Sequence, residues 1–402
     1  MTYLESFSAR QYRDLFRSTL LNDILPFWLN HGMDREHGGI MTSLDRDGKL
    51  LDSDKSIWFQ GRTAWTYATA AKCYGRRPEW VDFAQSALQF IEEHAIGPSG
   101  KLYFTVTRTG QPLRMRRYVY SEAFAALGNS AMYQLTQQDV YRAASVRYLE
   151  TYLKYSFTPG LIPPKTETST RPMLSLGPFM FALHLCGSIQ RTVGDVVVAE
   201  RRCSEWCDWS AREIERLFYK SDMAVLLETV GSEGEVLDHF DGRTLNPGHA
   251  LECAWFLMDE GRHLGRRNWI ELGCQILDCM WTRGWDSEFG GIFYFRDLHG
   301  GPVQDYWHDM KFWWPHCEAM IATLLAYRLT SQAKYLNRFV ELSVWSFNHF
   351  ADREHGEWYG YLHRDGSPSV QLKGNMWKGP YHIPRMLWYC EQLLSGMLQE
   401  TI

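Results

Sequence analysis

The chain has 402 residues, of which 45% are hydrophobic and 22% charged, and its formal net charge is −5. An acidic balance without a Lys/Arg block argues against a nucleic-acid or anionic-membrane surface. No apolar run reaches the roughly 18 residues that a bilayer span requires, and the N-terminus lacks the apolar core of a secretion signal. Nine cysteines with no CxxC spacing predict reduced thiols, a cytoplasmic location and no zinc site.

Apolar positions recur with a period of about 3.6 residues along the whole chain, which predicts helices separated by Gly-, Pro- and Asp-rich segments. Some of these helices are joined by tight turns and others by segments of roughly 20–30 residues, in alternation. In chain order, the predicted helices span residues 9–30, 57–74, 80–95, 117–135, 139–155, 172–192, 197–218, 247–264, 266–282, 312–329, 332–350 and 378–398.

Three of the long connections resemble one another, namely residues 34–62, 286–318 and 352–382. Each contains an acidic turn, a glycine, a short alternating strand, a second turn and a Trp-containing helix start. A weaker copy lies at 97–113. This layout predicts a strand–turn–strand hairpin in each connection.

The alternation of short and long connections predicts six helix pairs arranged as an (α/α)6 barrel, with short β-hairpins on the rim where the long loops lie. We expect residues 1–402 to form this barrel as a single catalytic domain. The last helix is still rich in Trp, Tyr and Leu, whereas an open solenoid would need a polar capping repeat, so a closed ring is favoured. The helices that follow long loops should form the inner ring.

Polar residues lie at the starts of these inner helices, spaced about 60–70 residues apart. Each residue alone has an ordinary structural explanation, such as a helix cap or a side chain that complements the helix dipole. Their repeated placement on one rim, where burying charge is costly, predicts an active site. The residues that converge are Arg62, Tyr118, Glu122, His249, Glu252, Glu318 and His382. We expect Tyr118 and Glu122 to bind substrate, together with Trp58, Trp313, Trp314, Trp377 and Lys378.

Several chemistries fit such a set of residues. His and carboxylate groups can bind zinc, manganese or iron, although no HExxH or EF-hand spacing is present and we predict no metal. A P-loop and a Rossmann nucleotide site are both unsupported by the glycine spacing. Two glutamates would suit an inverting glycosidase. Two histidines flanking a bound carbonyl compound would suit removal and return of a proton.

The segments LNPGHALECAWFLMD, GGIFYFRD, MKFWWPHCEAMIATLLAYRLT, HFADREHGEWYGYLHRDG and LKGNMWKGPYHIPR resemble the N-acylglucosamine 2-epimerase family. The resemblance implies an (α/α)6 barrel that interconverts N-acetylglucosamine and N-acetylmannosamine. Relatives epimerise cellobiose or mannose, or isomerise aldoses to ketoses. It also implies that His249 and His382 are the acid/base pair, and that Glu252, Glu318 and Arg62 are essential.

From these roles we expect His249 and His382 to flank C2 of the opened sugar, with Arg62 stabilising charge on O1. Glu252 should orient His249, while Glu318 should orient His382 or assist ring opening. No cofactor is required for such a reaction. The resemblance further implies a homodimer, and it implies ATP as a possible allosteric activator through the segment 163–173. A glycoside hydrolase and a non-catalytic sugar-binding barrel stay open as alternatives.

Overall fold

The computed structural model describes residues 7–400, and most of its ordered structure is helical. A π-helical turn, Leu20–Ile24, joins α1 to α2, and a second one, Ile214–Phe218, extends α8. The α-helices are α1 Ala9–Thr19, α2 Leu25–His31, α3 Ile57–Tyr74, α4 Pro78–His94, α5 Tyr120–Thr136, α6 Asp139–Phe157, α7 Gly177–Val193, α8 Cys203–Glu213, α9 Phe240–Arg243, α10 Pro247–Leu264, α11 Arg267–Gly284, α12 Trp313–Thr330, α13 Ala333–His349 and α14 His382–Glu400.

Six helices form an inner ring in the order α3, α5, α7, α10, α12, α14, each packing against the next. A second layer of α1, α4, α6, α8, α11 and α13 packs outside, each mainly against one inner helix. The ring closes between its last and first inner helices, where Thr66 Oγ1 donates to the Pro380 carbonyl at 2.7 Å and the Trp65 and Trp388 rings meet at 5.7 Å. The predicted (α/α)6 barrel is therefore confirmed.

The two layers differ in how they bury their side chains. α10 buries residues on all of its faces, as expected for a helix enclosed by neighbours. α13 buries one stripe, represented by Tyr335, Phe339 and Leu342, and exposes the other face to solvent. None of the helices within residues 7–400 combines the length and the apolar content that crossing a membrane demands.

Short antiparallel strands line the rim at which the inner helices begin, except for the hairpin at 197–202, which lies in the connection between the end of α7 and the start of α8. They pair as β1–β2, β3–β4–β5, β6–β11, β7–β8, β9–β10, β12–β13 and β14–β15–β16. Their bounds are β1 Ser43–Leu44, β2 Leu50–Asp52, β3 Lys55–Ser56, β4 Thr105–Val106, β5 Pro112–Arg114, β6 Leu174–Ser175, β7 Val197–Val198, β8 Arg201–Arg202, β9 Tyr219–Lys220, β10 Val225–Leu226, β11 Thr229–Val230, β12 Thr244–Leu245, β13 Arg296–Asp297, β14 Lys311–Phe312, β15 Tyr361–Leu362 and β16 Pro368–Val370.

The predicted hairpins form in three of the four connections, as β1–β2, β4–β5 and β15–β16. The prediction is wrong for 286–318, whose strands β13 and β14 pair with strands of other loops. Two predicted helices also begin too early. Residues 174–175 pair with 229–230, and residues 197–202 form a hairpin with left-handed φ angles at Ala199 and Glu200, so α7 and α8 start only afterwards.

Buried ion clusters fasten neighbouring rim loops to one another. Each cluster is built on an aspartate that follows an outer helix. This aspartate forms ion pairs with a buried lysine of its own loop and with an arginine of an adjacent loop. The three clusters, called the rim clasps below, are Asp34–Lys55–Arg108, Asp286–Lys311–Arg364 and Asp352–Lys373–Arg46. They hold the loops that carry the inner-helix starts.

Candidate active site

A cavity of about 520 Å³ opens at the rim where the inner helices begin. Strands lead directly into these starts: β3 precedes α3, and β14 precedes α12. At α10 the side chain of Asn246 accepts a hydrogen bond from the His249 backbone N–H, which fixes the first turn and the position of the imidazole. The polar and aromatic lining includes Trp58, Arg62, Tyr118, Tyr120, His249, Glu252, Tyr294, Trp307, Trp313, Trp314, Tyr361, Trp377, Tyr381 and His382.

His382 is held by a buried carboxylate. Its Nδ1 lies 2.7 Å from Glu318 Oε1, and the Glu318 side chain is fully buried. Burial lowers the pKa of His382 to about 4, although the hydrogen bond and the charge of Glu318 act in the opposite direction. The imidazole is therefore neutral at physiological pH, and with Nδ1 engaged its Nε2 is the basic nitrogen left for the cavity.

His249 has a different partner from the one predicted. Its Nδ1 lies 3.0 Å from both carboxylate oxygens of Glu228, which follows strand β10, and Asn246 Nδ2 is 3.1 Å away. The prediction that Glu252 orients His249 is wrong, because residues one helical turn apart here point to different neighbours. Burial lowers the pKa of His249, but the charge and hydrogen bond of Glu228 outweigh it, so the net shift is upward.

Glu252 belongs to a second network, centred on Arg385 in α14. Arg385 Nη2 lies 2.7 Å from Glu252 Oε1 and 2.7 Å from Glu318 Oε1, so one nitrogen bridges the two carboxylates. Trp255 Nε1 donates to the other oxygen of Glu318 at 2.8 Å. Burial and the Glu318 charge raise the pKa of Glu252, while Arg385 and His382 hold the pKa of Glu318 low against its burial.

Glu252, Glu318 and His382 also form the one group among the described residues whose ligand atoms lie close enough together to hold a metal ion, within 4.8 Å. The guanidinium of Arg385 already bridges the two carboxylates of this group. The Arg385 cation therefore already neutralises the two carboxylates that a metal ion would neutralise. This group of residues is a poor fit for a resident metal ion.

Arg62 enters the cavity from α3 through a cage of aromatic rings. Its guanidinium carbon lies 4.0 Å from the centre of the Phe124 ring and 4.9 Å from that of Tyr381, with Phe59 and Trp58 slightly farther away. Burial lowers the pKa of Arg62 to about 10, which leaves the side chain charged at neutral pH. The site thus holds a buried cation beside two imidazoles of opposite pKa shift.

The predicted aromatic platform is largely present around this centre. Trp58, Tyr118, Trp313, Trp314 and Trp377 all line the cavity. Trp314 lies between the two histidines, with its ring centre 5.2 Å from that of His249 and 5.9 Å from that of His382. Such rings suit the apolar faces of a sugar, and they bring aromatic surface close to both candidate acid/base groups.

Two predicted binding residues lie elsewhere. Glu122 is buried and accepts a hydrogen bond from the Leu102 backbone N–H at 2.7 Å, so it anchors a loop instead of facing the cavity. Lys378 is fully buried and donates to Glu357 Oε1 and to the Lys373 carbonyl. Both predictions failed for the same reason. A charged side chain near a helix start can form a hydrogen bond with the backbone, or pair with another charge, below the rim.

Sequence analysis missed Glu228 and Arg385. Glu228 lies in LLETV, where a single acidic residue inside an apolar run is itself a sign of a buried partner, but the run falls outside any predicted helix. Arg385 lies three residues after His382, on the same face of α14. This spacing could have marked Arg385 as facing the interior. His316 has a structural role, since its Nε2 accepts a hydrogen bond from the Ile292 backbone N–H and its Nδ1 donates to the Phe312 carbonyl.

Comparison with known proteins identifies the family of the chain. Residues 38–385 match the sequence profile of N-acylglucosamine 2-epimerase (GlcNAc 2-epimerase). The N-acylglucosamine 2-epimerase of Bos taurus is 34% identical over 397 residues, which cover 94% of this chain and 90% of that protein. The cellobiose 2-epimerase of Bacteroides fragilis is 25% identical and covers 94% of this chain and 97% of its own.

Among solved structures, the cellobiose 2-epimerase from Bacillus thermoamylovorans superimposes with a TM-score of 0.83 at 21% identity, covering 96% of this chain and 100% of that one. At this identity the superposition establishes the helical toroid and nothing about substrate. The profile match and the identity to the bovine enzyme, each spanning most of the chain, go further. The chain belongs to the N-acylglucosamine 2-epimerase family.

Proposed function

We propose that this protein is a sugar 2-epimerase, an isomerase that interconverts N-acetyl-D-glucosamine and N-acetyl-D-mannosamine. The observation that carries the proposal is the pair His249 and His382 on one cavity, each with Nδ1 held by its own carboxylate. Nδ1 anchoring leaves Nε2 of each ring to exchange a proton with a bound sugar. The family membership and the bovine relative support an N-acylated hexosamine as substrate.

The first chemical step removes the proton on C2 of the ring-opened sugar. The C2 hydrogen is acidic because the bond it leaves is adjacent to the C1 aldehyde. His382 is neutral at physiological pH, so its Nε2 takes the proton. The electron pair of the C–H bond moves into the C1–C2 bond, and charge develops on O1. Arg62, buried and charged, is placed to stabilise that oxyanion.

The second step returns a proton to the opposite face of C2. The upward shift of the His249 pKa favours its protonated form, so His249 serves as the acid. Its proton goes to C2 and the electron pair on O1 re-forms the aldehyde, which leaves C2 inverted. After turnover His382 carries the proton and His249 is neutral. That state is competent for the reverse reaction.

Glu318 holds the imidazole of His382 and Glu228 holds that of His249, whereas Glu252 has a different role. Glu252 lines the cavity and its pKa is raised, so we propose that it exchanges a proton with the ring oxygen during ring opening. Hydrolysis by Glu252 and Glu318 is disfavoured, since one nitrogen of Arg385 bridges both carboxylates. An inverting glycosidase holds its carboxyl groups roughly 6.5–9.5 Å apart, with space for water between them.

The test is proton NMR of the purified protein in deuterated water with N-acetyl-D-mannosamine, D-mannose and cellobiose supplied separately. We expect N-acetyl-D-glucosamine from the first sugar, with deuterium incorporated at C2 of the product. Epimerisation of cellobiose or mannose but not of the N-acetylated sugar would move the substrate to a neutral sugar. A ketose product would indicate an isomerase, and binding without exchange would indicate a sugar-binding barrel.

The remaining features of the proposal are a single catalytic domain over residues 1–402, a homodimer and chemistry that needs no cofactor. Nine unpaired cysteines support a reducing compartment such as the cytoplasm. ATP is proposed as an activator only. Light scattering tests the dimer, and assays of the dialysed protein with and without ATP test the nucleotide effect.

A further inference from the structure

Arg62 is a buried cation that has no carboxylate partner among residues 7–400. Its Nε is buried without a hydrogen-bond partner, and the guanidinium contacts aromatic rings instead of an anion. Yet Glu252 and Glu318 are near enough for their charges to act on Arg62. Both carboxylates pair with Arg385. An ion pair is strongly favoured in a low-dielectric interior, so something must keep Arg62 from forming one.

The Tyr381 ring contacts both guanidinium groups. Its centre lies 4.9 Å from the Arg62 guanidinium carbon and 4.7 Å from that of Arg385. The Tyr381 hydroxyl accepts a hydrogen bond from Arg385 Nη1 at 3.2 Å. Packing against Trp65 and Phe124, at 5.4 and 5.5 Å, fixes the ring. Cation–π contact on this ring holds each arginine in its place.

We propose that Tyr381 is a positioning residue that separates Arg62 from the cluster of Glu252, Glu318 and Arg385. The separation keeps the positive charge of Arg62 un-neutralised and available to an anion in the cavity. A cation already paired with a carboxylate would lose part of its interaction with a developing oxyanion. The inference rests on the proposed function, because in that function the positive charge of Arg62 stabilises the oxyanion at O1.

The ring of Tyr381 separates Arg62 from the cluster, and the hydroxyl contributes less to this separation. Arg385 keeps its bonds to Glu252 and Glu318 through Nη2 if the hydroxyl is removed. Removing the ring would instead open space between a buried cation and two buried carboxylates. Tyr381→Phe and Tyr381→Leu therefore form a matched pair, in which only the second removes the barrier.

The experiment measures binding of two open-chain probes by calorimetry: 2-acetamido-2-deoxy-D-gluconate, which has a carboxylate at C1, and the corresponding neutral alditol. The wild-type protein should bind the anion at least about tenfold more tightly than the alditol, because a charge-assisted contact with Arg62 is added. Tyr381→Phe should keep this ratio within about threefold. Tyr381→Leu should bring it close to one, as should Arg62→Gln.

Thermal unfolding checks that each variant folds, and Tyr381→Met, whose flexible side chain fills more of the space, replaces Tyr381→Leu if that variant does not. A crystal structure of the leucine or methionine variant should show Arg62 paired with Glu252 or Glu318. A folded variant without the ring that keeps the wild-type ratio overturns the proposal. A wild-type ratio near one, or an Arg62→Gln variant that retains it, also overturns the proposal, since Arg62 would then not be the anion's partner. Binding needs no turnover, so the C2-exchange assay judges the epimerase function separately.

Discussion

His382 and Glu318 lie 64 residues apart in the chain, on different inner helices, and their side chains are joined by a 2.7 Å hydrogen bond in a fully buried setting. The bond sets both the orientation and the tautomer of the imidazole. The same carboxylate accepts from Trp255 and pairs with Arg385, so it links the base to the rest of the network.

Glu318→Gln should lower kcat by about 10²–10⁴ with a smaller change in KM. A neutral amide can hold the ring in place but presents a donor to Nδ1 in one orientation, which favours the wrong tautomer, and a comparable loss follows an Asp-to-Asn change in a serine-protease triad. Steady-state kinetics on N-acetyl-D-mannosamine measure the change. Glu271→Gln, on an exposed helix face, is the control. A kcat within threefold of wild type would contradict the orienting role.

The pH dependence of kcat/KM, which reports groups of the free enzyme, should reflect the two histidines. Because the His382 pKa is lowered to about 4, its basic form persists down to acidic pH, and activity should fall only as the pH drops through about 4. The raised pKa of His249 keeps its acidic form to higher pH than an ordinary histidine, so activity should fall on the alkaline side as that form is lost.

Glu228→Gln should move the alkaline limb of this profile to lower pH, since the charge that raises the His249 pKa is removed. The acid limb should stay in place because Glu228 does not contact His382. Profiles of kcat/KM measured in both reaction directions provide the check. An unchanged alkaline limb in a folded Glu228→Gln protein would rule out His249 as the group that titrates there.

The rim clasps should contribute strongly to stability. Asp286→Asn removes the negative charge that lies 3.0 Å from the fully buried Lys311, which should lower the free energy of unfolding by about 3–5 kcal/mol. Urea denaturation at neutral pH measures the change. The exposed pair Arg267–Glu271 offers a comparison, because Glu271→Gln should cost no more than about 1 kcal/mol. Similar losses in both variants would contradict the importance of burial.

The same clasp predicts an acid sensitivity. Hydrogen bonds and charges from Arg364 and Lys311 hold the pKa of Asp286 below its ordinary value despite its burial. A lowered pKa stabilises the fold above the unfolded-state value of about 3.9 and loses that contribution as the pH falls below it. The free energy of unfolding of the Asp286→Asn variant should therefore change less between pH 7 and pH 3 than that of the wild-type protein.

Substitutions of Glu122 test whether this residue anchors a loop and has no part in substrate binding. Glu122→Gln retains an acceptor for the Leu102 N–H, so kcat should change by less than about threefold. Glu122→Ala leaves that buried donor unpaired and should lower the free energy of unfolding by about 1–3 kcal/mol. Kinetics and thermal melts distinguish the two effects. A large loss of kcat in a stable Glu122→Gln protein would return this residue to the catalytic centre.

Much of the fold could be predicted because it depends on local periodicity. Helices α3, α10 and α12 were placed within about one residue, since apolar spacing and cap residues such as Asn246 and Gly265 mark their limits. The pairing of β6 and β13 was not predictable because their partners come from distant loops, and no local pattern encodes such pairing. Long-range contacts, not propensity, decide short rim strands.

The site was predictable to the same degree. Placement at inner-helix starts correctly grouped His249, Glu252, His382 and Arg62 around one cavity. Which carboxylate meets which histidine was not predictable, since side chains one helical turn apart can reach different neighbours. Glu228 illustrates this, because its effect on His249 depends on a loop that crosses the rim between two helices.

Arg46 lies in the first long loop and Asp352 in the last, and their 2.7 Å contact ties together segments separated by 306 residues. Contacts of such sequence separation form late, because the entropy of closing so long a loop must be overcome first. Until α14 has been synthesised, the inner helices keep an apolar edge open. Folding of this toroid should therefore be slow and cooperative, and a growing chain stays exposed to aggregation until its final helix closes the ring.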